Sequence, residues 1–175
     1  MDERRLHLDP FAAALGALLV LTLGFVSTSN GGALVMCGLS FAGLLAARFV
    51  GFSNLALVPL AGGLVILLWM LWVDPPLDSH STGAIAHAVG GLLVGWAVAE
   101  FLRGRADWPM WAIGGVGAVL ALSIAWELGE WVADRALTTD LVPSKRDSAI
   151  DIAFGTLGGV AGTLLVTLLP ERSPR

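Results

Sequence analysis

The chain has 175 residues, of which 56% are hydrophobic and only 14% charged, with a mean hydropathy of +0.79 and a formal net charge of −4. A soluble domain carries about a quarter charged residues, so this chain lacks the polar surface that a water-soluble fold needs. It also lacks the basic stripe that tracks nucleic-acid phosphates. Its single cysteine, Cys37, excludes an intramolecular disulfide and a C-x-x-C metal motif.

Arg4 and Arg5 precede an apolar run that is long for a signal peptide and is followed by further apolar runs, so an uncleaved first helix is expected. That first segment spans about 10–26, with Pro10 at the tolerated first helical position. The polar break at 27–32 leads into a second segment over about 33–50, which Arg48 closes. After Gly51-Phe52-Ser53-Asn54, a third segment covers about 55–73. Its Pro59 falls in the first turn, where a missing N–H matters little. Asp74-Pro75-Pro76-Leu77-Asp78 is a breaker, and a fourth segment follows over about 82–102.

Asp107 and Pro109 read as the N-cap and first turn of a fifth segment, about 109–136. That segment is too long for a hydrocarbon core of about 30 Å at 1.5 Å per residue, so it tilts or projects beyond the lipid. A sixth segment covers about 147–169 and stops at Pro170. The expected fold is therefore all-α, a single polytopic domain of six transmembrane helices.

The basic residues orient it. With the N-terminus inside, Arg4, Arg5, Arg48, Arg103, Arg105, Arg172 and Arg175 are cytoplasmic, and only Arg135, Lys145 and Arg146 lie outside. Both termini are then cytoplasmic in a multi-pass protein of the inner, or plasma, membrane. Trp69, Trp72, Trp126 and Trp131 mark the outer interface, and Trp96, Trp108 and Trp111 the inner one. Eight of the fourteen acids fall at or near the outer face, joined by His80 and His87.

Ionisable groups within a membrane segment are costly and mark function by default. Glu127, Glu130 and Asp134 form one stripe on the fifth helix; Asp147 and Asp151 form another on the sixth. His80, Gly83 and His87 stripe the fourth, with His87 about 10 Å below His80. If these helices pack together, His87, Glu127 and Asp151 share a depth. The G-x-x-x-G pairs Gly91/Gly95, Gly155/Gly159 and Gly158/Gly162 favour such packing.

Carboxylates with an imidazole suit a divalent ion such as Zn, Mn, Fe or Mg, which makes His87, Glu127 and Asp151 candidate metal ligands. The Glu-x-x-His signature of di-iron bundles is absent. Simpler roles compete for most of these residues. Glu130 and Asp134 sit where the fifth helix protrudes and are open to a solvated role, and Asp147 suits a helix N-terminus. Asp74, Asp78 and Asp140 read as loop acids, and His80 as a cap or loop residue. His87 is open to a role as a hydrogen-bonded interior histidine. Arg135, Lys145 and Arg146 are available to neutralise acids in a structural network. Glu100 and Arg103 read as an interfacial ion pair.

Trp126-Glu127-x-x-Glu130-Trp131, followed by Asp147-x-x-x-Asp151 running into Gly155-Thr156-Leu157-Gly158, resembles the YjdF-type family of bacterial inner-membrane proteins. The histidine-bearing segment from His80 to Gly91 fits the same pattern. More distantly the chain resembles VanZ-like proteins, in which an Asn stands where this chain has Gly155. The resemblance covers about 78–162. It implies a helical membrane fold and, for the VanZ-like side, a role in the cell envelope; it implies no particular activity.

Two functions follow as expectations. One is a binding or envelope-interaction protein that engages a lipid-linked or cationic ligand through Glu127, Glu130 and Asp151. The alternative is a metal-dependent intramembrane hydrolase or transferase acting on a lipid-linked substrate, with His87, Glu127 and Asp151 as ligands and Glu130 as catalytic base. Proton- or cation-coupled transport ranks third, because only Glu100 lies toward the inside and no inverted repeat relates the two halves.

Overall fold

The structure is a computed structural model that describes residues 9–27, 31–72, 79–138, 142 and 144–169. It contains six helices: α1 (Pro10–Ser27), α2 (Gly31–Phe49), α3 (Asn54–Trp72), α4 (Ser79–Arg103), α5 (Trp108–Leu137) and α6 (Lys145–Thr167). All regular structure among the described residues is helical. Four helices are long and apolar enough to cross a bilayer: α2, α4 from Gly83 onward, α5 and α6. The continuous apolar stretches of α1 and α3, Phe11–Ser27 and Asn54–Trp69, are shorter.

The helix starts differ in how they are capped. Asp107 has the extended backbone of an N-cap before α5, with Pro109 in the first turn, but its side chain makes no capping hydrogen bond. Ser144 does cap α6: its Oγ accepts from the Asp147 N–H at 3.1 Å. This cap starts α6 at Lys145, two residues earlier than the sequence pattern predicts. The breaker at 74–78 and Asp140 lie outside the described residues.

The centre of the bundle is the α4–α6 pair, which run parallel and touch backbone to backbone. A Cβ added at Gly91 would meet Gly155 O at 2.0 Å, and one at Gly95 would meet Gly159 O at 2.4 Å. From the other side, Gly158 lies against Ala88 O and Gly162 against Leu92 O, each with room for no side chain at all. Small residues here remove the steric barrier to close approach, which is how helices associate where lipid offers no hydrophobic driving force. α5 packs on this pair by Gly115, which faces Thr163 and Ala99. It meets α2 by Gly129, which faces Leu39 and Met36. α3 closes on α4 through Gly63 against Gly90 O.

One end of the bundle is tied by arginines. Arg103 donates to Val166 O at 3.0 Å and Leu169 O at 2.8 Å. It thereby ties the end of α4 to the C-terminal end of α6. The guanidinium of Arg103, expected beside Glu100, also reaches across to α6. Arg105 lies over the Phe101 ring, which stacks on Phe52 with centroids 4.1 Å apart, and donates to Gly51 O. The aromatic belts are only partly as expected. Trp69, Trp108 and Trp131 are exposed, whereas Trp111 is buried against Ala99 and Val166.

A candidate metal centre among three helices

His87, Glu127 and Asp151 come from α4, α5 and α6 and converge in the interior. His87 Nε2 lies 3.8 Å from Glu127 Oε1 and 3.9 Å from Asp151 Oδ2, and one ligand atom from each residue lies within 4.8 Å of the other two. The glycine register explains the meeting of His87 and Asp151. They stand one turn before Gly91 and Gly155, which already face each other. Helical side chains lean toward the N-terminus, so Asp151 reaches back toward Gly83. A Cβ there would sit 3.7 Å from Asp151 Oδ1.

Glu127 and Asp151 retain 7% and 8% of their accessible surface. Ser148 lies within hydrogen-bonding reach of the Glu127 carboxylate. Glu127 Oε1, by contrast, is fully enclosed and has no hydrogen-bond partner among the described residues. An enclosed polar atom in that state costs about 1–3 kcal/mol, and more for a charged group. Two ionised carboxylates at the separation found here repel by roughly 3 kcal/mol at an effective dielectric of about 20. A divalent cation between them reverses the sign of both effects. Zinc ligated at about 2.0–2.2 Å holds its ligand atoms roughly 3–3.5 Å apart, so small side-chain rotations close the present gaps.

Glu130, one turn beyond Trp126, is buried at 6% exposure rather than solvated. Trp126 Nε1 donates to Glu130 Oε1 at 2.8 Å. Asp134 is half-buried and accepts from the Val142 N–H at 2.8 Å, which ties the end of α5 to the following segment. Asp147 is half-buried in the first turn of α6, and Glu100 is buried toward the other end of α4. Arg135 lies over the Trp131 ring, and Lys145 and Arg146 are exposed. The side chain of His80 lies outside the described residues.

Two features of the site are not predicted from the sequence. One is the Trp126–Glu130 bond, whose i, i+4 spacing is in the sequence but does not distinguish a bonded pair from an interfacial tryptophan. The other is an apolar cavity of about 450 Å³ that His87 and Trp126 share with α2, α3 and α5. No sequence pattern signals it.

An all-helical chain with membrane-length helices, in which one imidazole and several carboxylates are buried together, defines a class: a helical membrane protein with a buried ionisable cluster. Within that class the chain belongs to the family described as Predicted membrane protein (DUF2238), which it matches over residues 69–172. The matched region carries α4, α5 and α6 and every residue of the centre. No curated protein and no solved structure gives a significant match.

Proposed function

We propose that the protein is a metal-dependent intramembrane hydrolase or transferase acting on a lipid-linked substrate, with His87, Glu127 and Asp151 as ligands of a divalent ion. The observation that carries this reading is the convergence of three ligand atoms from three helices within 4.8 Å, around an enclosed Glu127 oxygen that has no hydrogen-bond partner among the described residues. Three protein ligands leave a coordination position open, as catalytic rather than structural zinc sites do. One nitrogen and two oxygens suit Zn, Mn, Fe or Mg, with no soft ligand present. Such an ion activates water or polarises a phosphoryl or carbonyl oxygen. Glu130 is the general base in this reading, its carboxylate oriented by the Trp126 N–H.

The cellular setting belongs to the same proposal. α1 and α3 complete six spans, and the arginine distribution sets both termini in the cytoplasm and the centre toward the outer leaflet of the inner membrane. A YjdF-like position, with VanZ-like proteins more distant, follows from the Trp126–Asp151 pattern. A second reading, a binding protein for a lipid-linked or cationic ligand, is favoured by the apolar cavity beside His87.

Phosphate release from 1-oleoyl lysophosphatidate, measured on the detergent-purified protein with added zinc or manganese, separates the two. Metal-requiring release that falls about 100-fold or more in Glu127→Gln and Glu130→Gln supports the enzyme. Binding of the lipid without release, unchanged by metal, supports the second reading and contradicts the first.

A further inference from the structure

The cavity beside the centre has a shape and lining that the proposed chemistry alone does not require. Its walls are almost wholly aliphatic, from α2, α3, α4 and α5. Of the polar side chains on it, Ser40 gives its hydroxyl to Met36 O at 2.8 Å and Trp126 gives its N–H to Glu130. That leaves His87, at the metal end, and Ser123. Ordered water needs two to four polar partners, so this space suits hydrocarbon.

The cavity runs from the outside of the bundle to its core. The far wall, including Leu60, Val94 and Val119, is buried. Its near edge consists of exposed residues, Gly43 and Ala46 on α2 and Leu122 on α5. α2 and α5 touch where Gly129 meets Leu39, but one turn along at Gly43 an added Cβ meets nothing within 4 Å. The mouth therefore opens sideways, on a surface that faces acyl chains when the helices span a bilayer.

We infer that this cavity is the tail site for a single-chain anionic amphiphile, which enters laterally between α2 and α5 and brings its head group to His87, Glu127 and Asp151. Continuity is the argument. His87 is at once a wall of the cavity and a member of the centre, so a chain filling the space can bring its head group to the ion. The volume lies within the roughly 300–1,000 Å³ range of ligand pockets. The inference rests on the metal reading for the head group only.

The test uses oleyl phosphonate and butyl phosphonate, which share a head and cannot be hydrolysed at the C–P bond. Gly43→Trp fills the mouth without touching the centre. Gly38→Trp places the same side chain on α2 at a position that also meets open space but lies off the cavity. The expected result is oleyl phosphonate binding at least about 10-fold weaker in Gly43→Trp than in wild type and Gly38→Trp, with butyl phosphonate binding and metal content equal in all three. Burying even two methylene groups, at about 0.8 kcal/mol each, accounts for that factor. Equal oleyl phosphonate binding in Gly43→Trp and Gly38→Trp overturns the inference, as does wild-type affinity that does not depend on chain length. A wild type without metal that still shows chain-length dependence, abolished by Gly43→Trp, removes the metal reading and leaves the tail site standing.

Discussion

Trp126 holds Glu130 by a single hydrogen bond inside the bundle, at 2.8 Å. Phenylalanine at this position keeps most of the aromatic volume and removes the donor. Leaving a buried acceptor oxygen without its partner costs about 1–3 kcal/mol. Trp126→Phe is therefore expected to lower the thermal midpoint in detergent while metal content stays at the wild-type level, because no ligand has changed. An unaltered midpoint would show that the indole N–H contributes nothing to holding Glu130. The residue scale is also where the sequence was most informative. Glu127 and Asp151 stood out because each is the deepest acid on its helix, and desolvation makes a deep acid costly wherever the helices pack. The burial of Glu130 was not legible, because it depends on how far α5 protrudes, which helix length alone does not set.

At the scale of elements, the α4–α6 interface decides the geometry of the centre. Gly158 offers the cleanest probe: a single Cβ there would lie 1.9 Å from Ala88 O, which is backbone and cannot rotate away. Gly158→Ala must push the helices apart, at a cost of at least the 1–3 kcal/mol typical of overpacking. Separation moves Asp151 away from His87, so metal content and thermal midpoint should fall together. Gly117→Ala, on the open face of α5 where an added Cβ meets nothing within 4 Å, should leave both unchanged. Equal behaviour of the two variants would contradict the close packing.

Six helices and their order could be read from apolar run length and breakers, since both are local properties. The glycine pairs were visible too, but not which ridge meets which. That register depends on parallel packing of two helices separated by a third. Arg103 illustrates the same limit. Its neighbour Glu100 is visible in the sequence as a local partner, but the reach of the Arg103 guanidinium to the carbonyls of Val166 and Leu169 is not. Trp111 shows it again, because an aromatic near a helix end suits both a belt and a core.

For the molecule as a whole, the arrangement combines an arginine-tied end with an acid-rich end. α5, at thirty residues, is about 45 Å long at 1.5 Å per residue. It exceeds a hydrocarbon core of about 30 Å, which lets it carry Glu127 and Glu130 at depth and Asp134 and Arg135 toward its far end. With the arginine-rich side inward, a fluorescent protein fused after Arg175 should fluoresce and an alkaline phosphatase fused there should be inactive. The reverse pattern would invert the orientation and turn the centre toward the cytoplasm.

In the proposed function, three side chains from three helices hold one metal ion inside this bundle. Elemental analysis of the detergent-purified protein, wild type beside Glu127→Gln, tests it most directly. The expected result is about one Zn, Mn or Fe per chain in wild type and background levels in the variant, with both proteins equally folded by circular dichroism. Background metal in both, after exposure to each ion and removal of the excess, would contradict it.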